Sequence, residues 1–296
     1  MRIWRLCYGM ARIEAITLGH SPDPDDAFMF FALAENKIDT EGWSFEHILQ
    51  DIQTLNERAT RGELVISAIS IHAYAYVLDK YALLPCGASM GDGYGPMLVV
   101  KKGTRFPDKQ EDIASWLQEK LIAVPGLMTS AFLTLRLFIP SVQHVVVPFD
   151  EIFAALRDGK ADVGLIIHEG QLTYEAEGFD KVLDLGEWWK AETGLPLPLG
   201  GNVIRKDFSL QERSSINRVL RNSIEYGLQN RAAGVEHALP LGRGLDTALA
   251  DQFIGMYVND FTLDYGDVGR RAIKEFLSRA HKAALIPEPV ELEFVE

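Results

Sequence analysis

Short apolar runs alternate with amphipathic stretches along the 296-residue chain. Runs of four to six apolar residues read as strands, and apolar positions recurring every three to four residues read as helices. Strands are expected at 13–18, 44–49, 64–69, 121–124, 143–147, 163–167 and 181–185, with an extended segment at 96–102. Helices are expected at 27–36, 52–61, from about 70, at 110–119, from about 129 and at 149–158. The last strand leads into GEWWKAET (186–193), and the proline-rich GLPLPLGG (194–201) reads as a crossing between compartments, because proline restricts the backbone and donates no hydrogen bond. Beyond about 209 the pattern is helical, with amphipathic spans at 209–230, 246–259 and 266–283.

Alternating strands and helices define an α/β protein. The chain leaves one compartment, builds a second and returns, so two lobes are expected: 1–101 with 202–296, and 102–201. A cleft between two such lobes is a favoured place for a small ligand.

Composition narrows the function. The net charge of −13 argues against broad nucleic-acid binding, which relies on basic surfaces. It leaves an anionic small ligand open, since local dipoles outweigh a distant net charge. No apolar run reaches the roughly 18 residues of a membrane span. Cys7 and Cys86 make no disulfide framework, and the amino-terminal stretch lacks the apolar core of a secretory signal, so a cytoplasmic protein is expected. Met10 is an alternative start.

Candidate chemistry collects at strand ends. In GLIIHE (164–169) a wholly apolar run delivers His168 to the start of a glycine turn, at the edge where α/β sheets bind ligands. Imidazole, with an ordinary pKa of about 6.5, exchanges protons at neutral pH. A structural histidine satisfied by its surroundings explains the same placement. On an extended chain Glu169 points to the opposite face from His168. In PGLMTSAF (125–132), Thr129 and Ser130 cap a helix or, with backbone N–H groups, hold an anion; Ser67 and Ser70 invite the same two readings. HSPDPDD (20–26) offers His20, Asp23, Asp25 and Asp26 to a hard cation, but turn formation and helix capping account for most of it, and the spacing matches no metal motif. Trp188 and Trp189 line a pocket or fill a core. No nucleophile-elbow, phosphate-loop or paired-cysteine motif is present.

Several of these segments together carry a resemblance. GLIIHE (164–169), VLDLGEWW (182–189), TGLPLPLG (193–200), IAVPGLMTSAF (122–132), GYGPMLVV (93–100) and YVNDFTLD (257–264) resemble the 1,4-dihydroxy-6-naphthoate synthases of the futalosine route to menaquinone, over about residues 15–285. The resemblance implies the two-lobed type II periplasmic-binding-protein-like fold. It also implies a lyase that cleaves cyclic dehypoxanthinylfutalosine without metal or organic cofactor, with His168 as base and Ser70, Thr129 and Ser130 in the ligand cleft. One departure stands out. The family's first loop commonly reads S-P-C-P-N-D, whereas this chain has Ser21-Pro22-Asp23-Pro24-Asp25-Asp26, placing an acid at Asp25 where the family has an amide donor. His72 is either a second titratable group near the pocket or a helix residue. The rival readings are the sibling chorismate dehydratase, a solute-binding protein and a non-catalytic sensor; the GLIIHE histidine and GLPLPLG favour the synthase.

Overall fold

The computed structural model describes residues 15–296, so Cys7, Met10 and the first residues of the strand expected at 13–18 lie outside the described residues. Among the described residues eleven strands occur in chain order: β1 Ile16–His20, β2 Phe45–Leu49, β3 Ile66–Ser70, β4 Tyr81–Leu83, β5 Ser89–Gly91, β6 Met97–Lys101, β7 Leu121–Val124, β8 Gln143–Val146, β9 Val163–Ile166, β10 Phe179–Asp184 and β11 Leu197–Arg205. They form two sheets, β2-β1-β3-β11-β4 with β5 on β11, and β10-β6-β9-β7-β8. β1 runs parallel to β2 and β3, and β7 parallel to β8 and β9; β11 and β6 enter their sheets antiparallel.

Sheet membership moves both expected lobe boundaries. β6 pairs with β9 and β10, so Met97–Lys101 belongs to the second sheet rather than to the first lobe. β11 begins at Leu197 and pairs with β3, β4 and β5, so the return is complete before residue 201. The prolines read as a crossing stand at the start of a strand. Pro198 is tolerated there because the register shifts between Pro198 and Gly200, where the missing N–H is not needed.

Helices pack on both sheets, and their ends follow local chemistry. Helix Pro24–Ala34 opens with Pro24 at its first turn and Asp25 and Asp26 behind it, matching the helix dipole. Helix Leu185–Thr193 is capped by Asp184, which accepts from the amides of Gly186 and Glu187, and ends at Gly194 with φ 69°. Helices Leu210–Gln229, Arg231–Ala238 and Thr247–Tyr257 cluster with Pro24–Ala34 around Phe28, Ile224 and Phe253 on the first sheet. Trp189 is fully buried in a core that joins the helix 185–193 to β3 and β11, and its indole N–H donates to Pro196 O at 3.1 Å. Both tryptophans serve packing; neither lines the cavity below. Among the described residues no helix is long and apolar enough to cross a membrane.

Candidate active site

The carboxyl ends of four parallel strands converge on one cavity. β1 delivers Ser21, Asp23, Asp25 and Asp26; β3 delivers Ser70; the loop after β7 delivers Thr129 and Ser130; the exit of β9 delivers Ile167 and Gln171. Gly200 to Asn202 of β11 and the side chains of Phe253 and Tyr257 complete the wall. The space between atoms is ≈ 810 Å³, part of it continuous with solvent. This is the place where sheets of this topology bind small ligands.

The lobes are tied together around it. Ser130 Oγ donates to Leu199 O at 2.5 Å and accepts the His72 backbone N–H at 3.2 Å. Met128 N–H donates to Gln53 Oε1 at 3.1 Å. Tyr257 O–H donates to Gln171 Oε1 at 2.5 Å, and Gln171 Nε2 donates to Gly95 O at 2.7 Å.

The hydroxyls differ in what they have left to offer. Thr129 Oγ1 accepts from Phe132 N–H at 3.1 Å and donates to Gly126 O at 2.8 Å, so it is a working helix cap. Ser70 Oγ accepts from Asn56 Nδ2 at 3.0 Å, which leaves its proton for another acceptor. Ser67 is fully buried and donates to Ala68 O at 2.8 Å, away from the cavity wall. Asn202 is 2% exposed on that wall and its Oδ1 has no partner.

The acidic loop forms a close cluster. Asp26 accepts the Ser21 N–H at 2.6 Å and Asp23 accepts the Ser21 O–H at 2.9 Å. Burial, then the charges of Asp26 and Asp23, push the Asp25 carboxyl well above its usual range. Burial lifts Asp26 to about 7 against the pull of the Ser21 hydrogen bond. His20 turns away from these acids, with Nε2 3.0 Å from His47 Nδ1, and burial followed by His47 lowers it to about 4. Among the described residues no group of three His, Cys, Asp or Glu is arranged to hold a metal ion.

Ser70, Thr129, Ser130 and Asp25 are thus brought together, but the His168 ring is not on the cavity wall. It is 7% exposed, with Nδ1 accepting the Gly170 N–H at 2.9 Å and Nε2 donating to Phe149 O at 3.0 Å. Glu169 is not on the far side of the chain from it. The backbone turns helical at Glu169, φ −54° and ψ −16°, and brings Oε2 within 3.7 Å of His168 Nδ1. His72 is a buried helix residue beside the cavity, its Nδ1 3.3 Å from Thr129 O, and burial lowers it to about 4. Asp26 was named only as a candidate cation ligand, and Gln171, Asn202 and Tyr257 were not singled out by sequence reasoning. Only position hinted at these three: Gln171 lies two residues beyond GLIIHE, Asn202 follows GLPLPLGG and Tyr257 opens YVNDFTLD.

Two sheets joined by the chain passing out to the second and back, with a cavity at the parallel strand ends, define the periplasmic-binding-protein-like class. Solved structures agree. An Archaeoglobus fulgidus protein superposes with TM-score 0.85 at 43% identity, over 92% of this chain and 98% of that one. A Candida albicans protein described as having the generic periplasmic binding protein fold gives TM-score 0.65 at 15% identity, covering 96% and 98%. The alkanesulfonate-binding protein of Xanthomonas axonopodis, bound to MOPS, gives 0.66 at 12%, covering 95% and 96%. The sequence is more specific than the fold. The chain belongs to the menaquinone biosynthesis family, whose profile matches residues 16–282. It is similar to the 1,4-dihydroxy-6-naphthoate synthases of Streptomyces coelicolor, 36% identical over 93% of this chain and 95% of the relative, and of Thermus thermophilus, 36% over 94% and 98%.

Proposed function

We propose that this chain is a cytoplasmic lyase that converts cyclic dehypoxanthinylfutalosine to 1,4-dihydroxy-6-naphthoate, with His168 as general base and no metal or organic cofactor. The observation that carries the reading is the convergence of Ser70, Thr129, Ser130 and Asp25 on one cavity at the strand ends, in a chain related end to end to two synthases.

The cavity suits an anionic substrate at one end. The free Ser70 hydroxyl proton and the opening amides of helix Ser130–Phe138 supply donors to a carboxylate. The unpartnered Asn202 Oδ1 is an acceptor, suited to a substrate hydroxyl rather than to the carboxylate. Asp25 does not oppose this. Burial and the neighbouring acids favour the protonated form of Asp25, and a neutral carboxylic acid donates a hydrogen bond as the amide of the family loop does.

His168 stands between cavity residues Ile167 and Gln171, with both ring nitrogens on the backbone. In the reading proposed here the ring exchanges one of these bonds for the substrate. The freed nitrogen takes the proton whose removal starts elimination and carbon–carbon cleavage, and a neutral imidazole suits that step. Lobe closure excludes water from the intermediates.

Incubating the purified protein with cyclic dehypoxanthinylfutalosine and following the naphthoate tests the reading. Turnover by the wild type, lost in a folded His168→Gln variant, is expected. Full activity of that variant removes His168 as base. Tight binding of a small acid without wild-type turnover moves the chain to the solute-binding class.

A further inference from the structure

One side chain reaches across the cleft beside His168 and has no role so far. Arg243 lies in the connection between helices Arg231–Ala238 and Thr247–Tyr257, on the first lobe, with φ 46°. The left-handed region costs a non-glycine residue energy, and such strain persists only where the surroundings impose it. Its Nη1 donates to both Glu169 oxygens at 3.0 Å, and its Nη2 lies 2.8 Å from Asp23 Oδ1. The guanidinium sits over the Phe149 ring, 4.7 Å from its centroid. Phe149 O is the acceptor of His168 Nε2, and Glu169 is the next residue after His168. Arg243 therefore touches the residue that holds the imidazole and the carboxylate beside it, and ties both to the cavity-lining first loop.

We infer that Arg243 is a positioning residue and the latch of the cleft, holding the His168–Glu169 turn in register when the lobes are together. The Glu169 side chain is 6% exposed, and its direct hydrogen-bond partner comes from the other lobe. A buried carboxylate without its cation is strongly disfavoured. Opening the cleft breaks the Arg243–Glu169 pair and leaves water in its place, so the pair favours the closed state. Binding that draws Asp23 or Phe149 aside acts on the same arginine. The Tyr257–Gln171 bond ties the same turn to the first lobe two residues further on. The catalytic part of this inference rests on the reading of His168 as base; the latch itself does not.

The test is a double-mutant cycle of Arg243→Ala and Glu169→Gln, with Arg243→Lys as the conservative variant. Two readouts are used: steady-state kinetics on cyclic dehypoxanthinylfutalosine, and hydrogen exchange of the amides at 170–172 without substrate. Arg243→Ala is expected to speed exchange at 170–172 by at least about tenfold, since the turn loses its anchor. It is expected to lower kcat by about 100-fold, the scale set by misplacing a reacting group by an ångström. Arg243→Lys restores part of kcat, because an ammonium reaches one carboxylate but cannot fork to two. The double variant is expected to be no worse than Arg243→Ala, since no buried charge is left unpaired. Unchanged exchange at 170–172 in Arg243→Ala and Arg243→Lys overturns the latch. Faster exchange with wild-type kcat and KM overturns the positioning role. Absence of wild-type turnover defeats the functional reading and with it the catalytic role, while the exchange data still decide the latch.

Discussion

Asp26 accepts the backbone N–H of Ser21 at 2.6 Å, and this bond closes the loop that brings Asp25 to the cavity. The two carboxyls share a desolvated corner, and both have folded-state pKa values above their unfolded ones. Each binds its proton more tightly in the native protein, so the stability linked to them is present at low pH and is lost as pH rises through the folded values. Asp25→Asn removes one of them. The expected result is a melting temperature unchanged near pH 4 and higher than wild type at pH 8, measured by calorimetry across that range. An equal shift at both pH values rules out the linkage.

The same pair shapes the pH dependence of turnover. If Asp25 acts as a neutral donor, activity falls on the alkaline side as the cluster ionises, with Asp26 titrating near 7. Asp25→Asn keeps a neutral donor at all pH values, so its profile of kcat/KM is expected to lose part of that alkaline decline. A profile superimposable on wild type assigns the decline to another group.

Gly170 is needed for its lack of a side chain. A Cβ there meets His168 Cε1 at 2.7 Å and Phe153 Cε2 at 2.9 Å, closer than side chains pack. Gly170→Ala is expected to shift the imidazole and cut kcat by at least about tenfold, consistent with the sensitivity of catalysis to placement. Wild-type kcat in a folded Gly170→Ala protein shows that the observed ring position does not bear on the reaction.

Asn202 separates binding from folding. Its Oδ1 has no protein partner, so Asn202→Ala leaves no protein group newly unsatisfied at that atom. Melting is expected to change little, while KM for the substrate rises about tenfold, the worth of one hydrogen bond of about 1.4 kcal/mol. An unchanged KM takes Asn202 out of the substrate contacts.

Asp184 gives the opposite pattern. Its carboxylate accepts from Gly186 N–H at 2.7 Å and Glu187 N–H at 3.1 Å, capping a helix away from the cavity. Asp184→Ala is expected to cost about 1–2 kcal/mol of stability in denaturant unfolding, with kcat and KM unmoved.

Much of the fold was legible because the signals are local. LIAV at 121–124 is a strand as expected, since four apolar residues between polar turns have few alternatives. Thr129 caps its helix as expected, because that choice involves neighbours only. β4 and β5 were missed: three residues are too few to show a period. β11 was missed because prolines that argue against a central strand are accommodated by a register shift set by its partner β5. Helix Arg231–Ala238 was missed too, lying between two stronger amphipathic spans.

The sequence alone determined the α/β character, the Thr129 cap and the loops at strand ends where Ser70, Thr129, Ser130 and Asp25 stand. These follow from side-chain periodicity and from hydrogen bonds a few residues long. Tertiary structure decided which loops share a cavity, that β6 belongs to the second sheet, and that both His168 nitrogens are held by backbone. It also decided that Glu169 turns back beside His168 and meets Arg243, 74 residues away in sequence. A buried charge takes its partner from wherever the folded chain supplies one, and no local pattern records that choice.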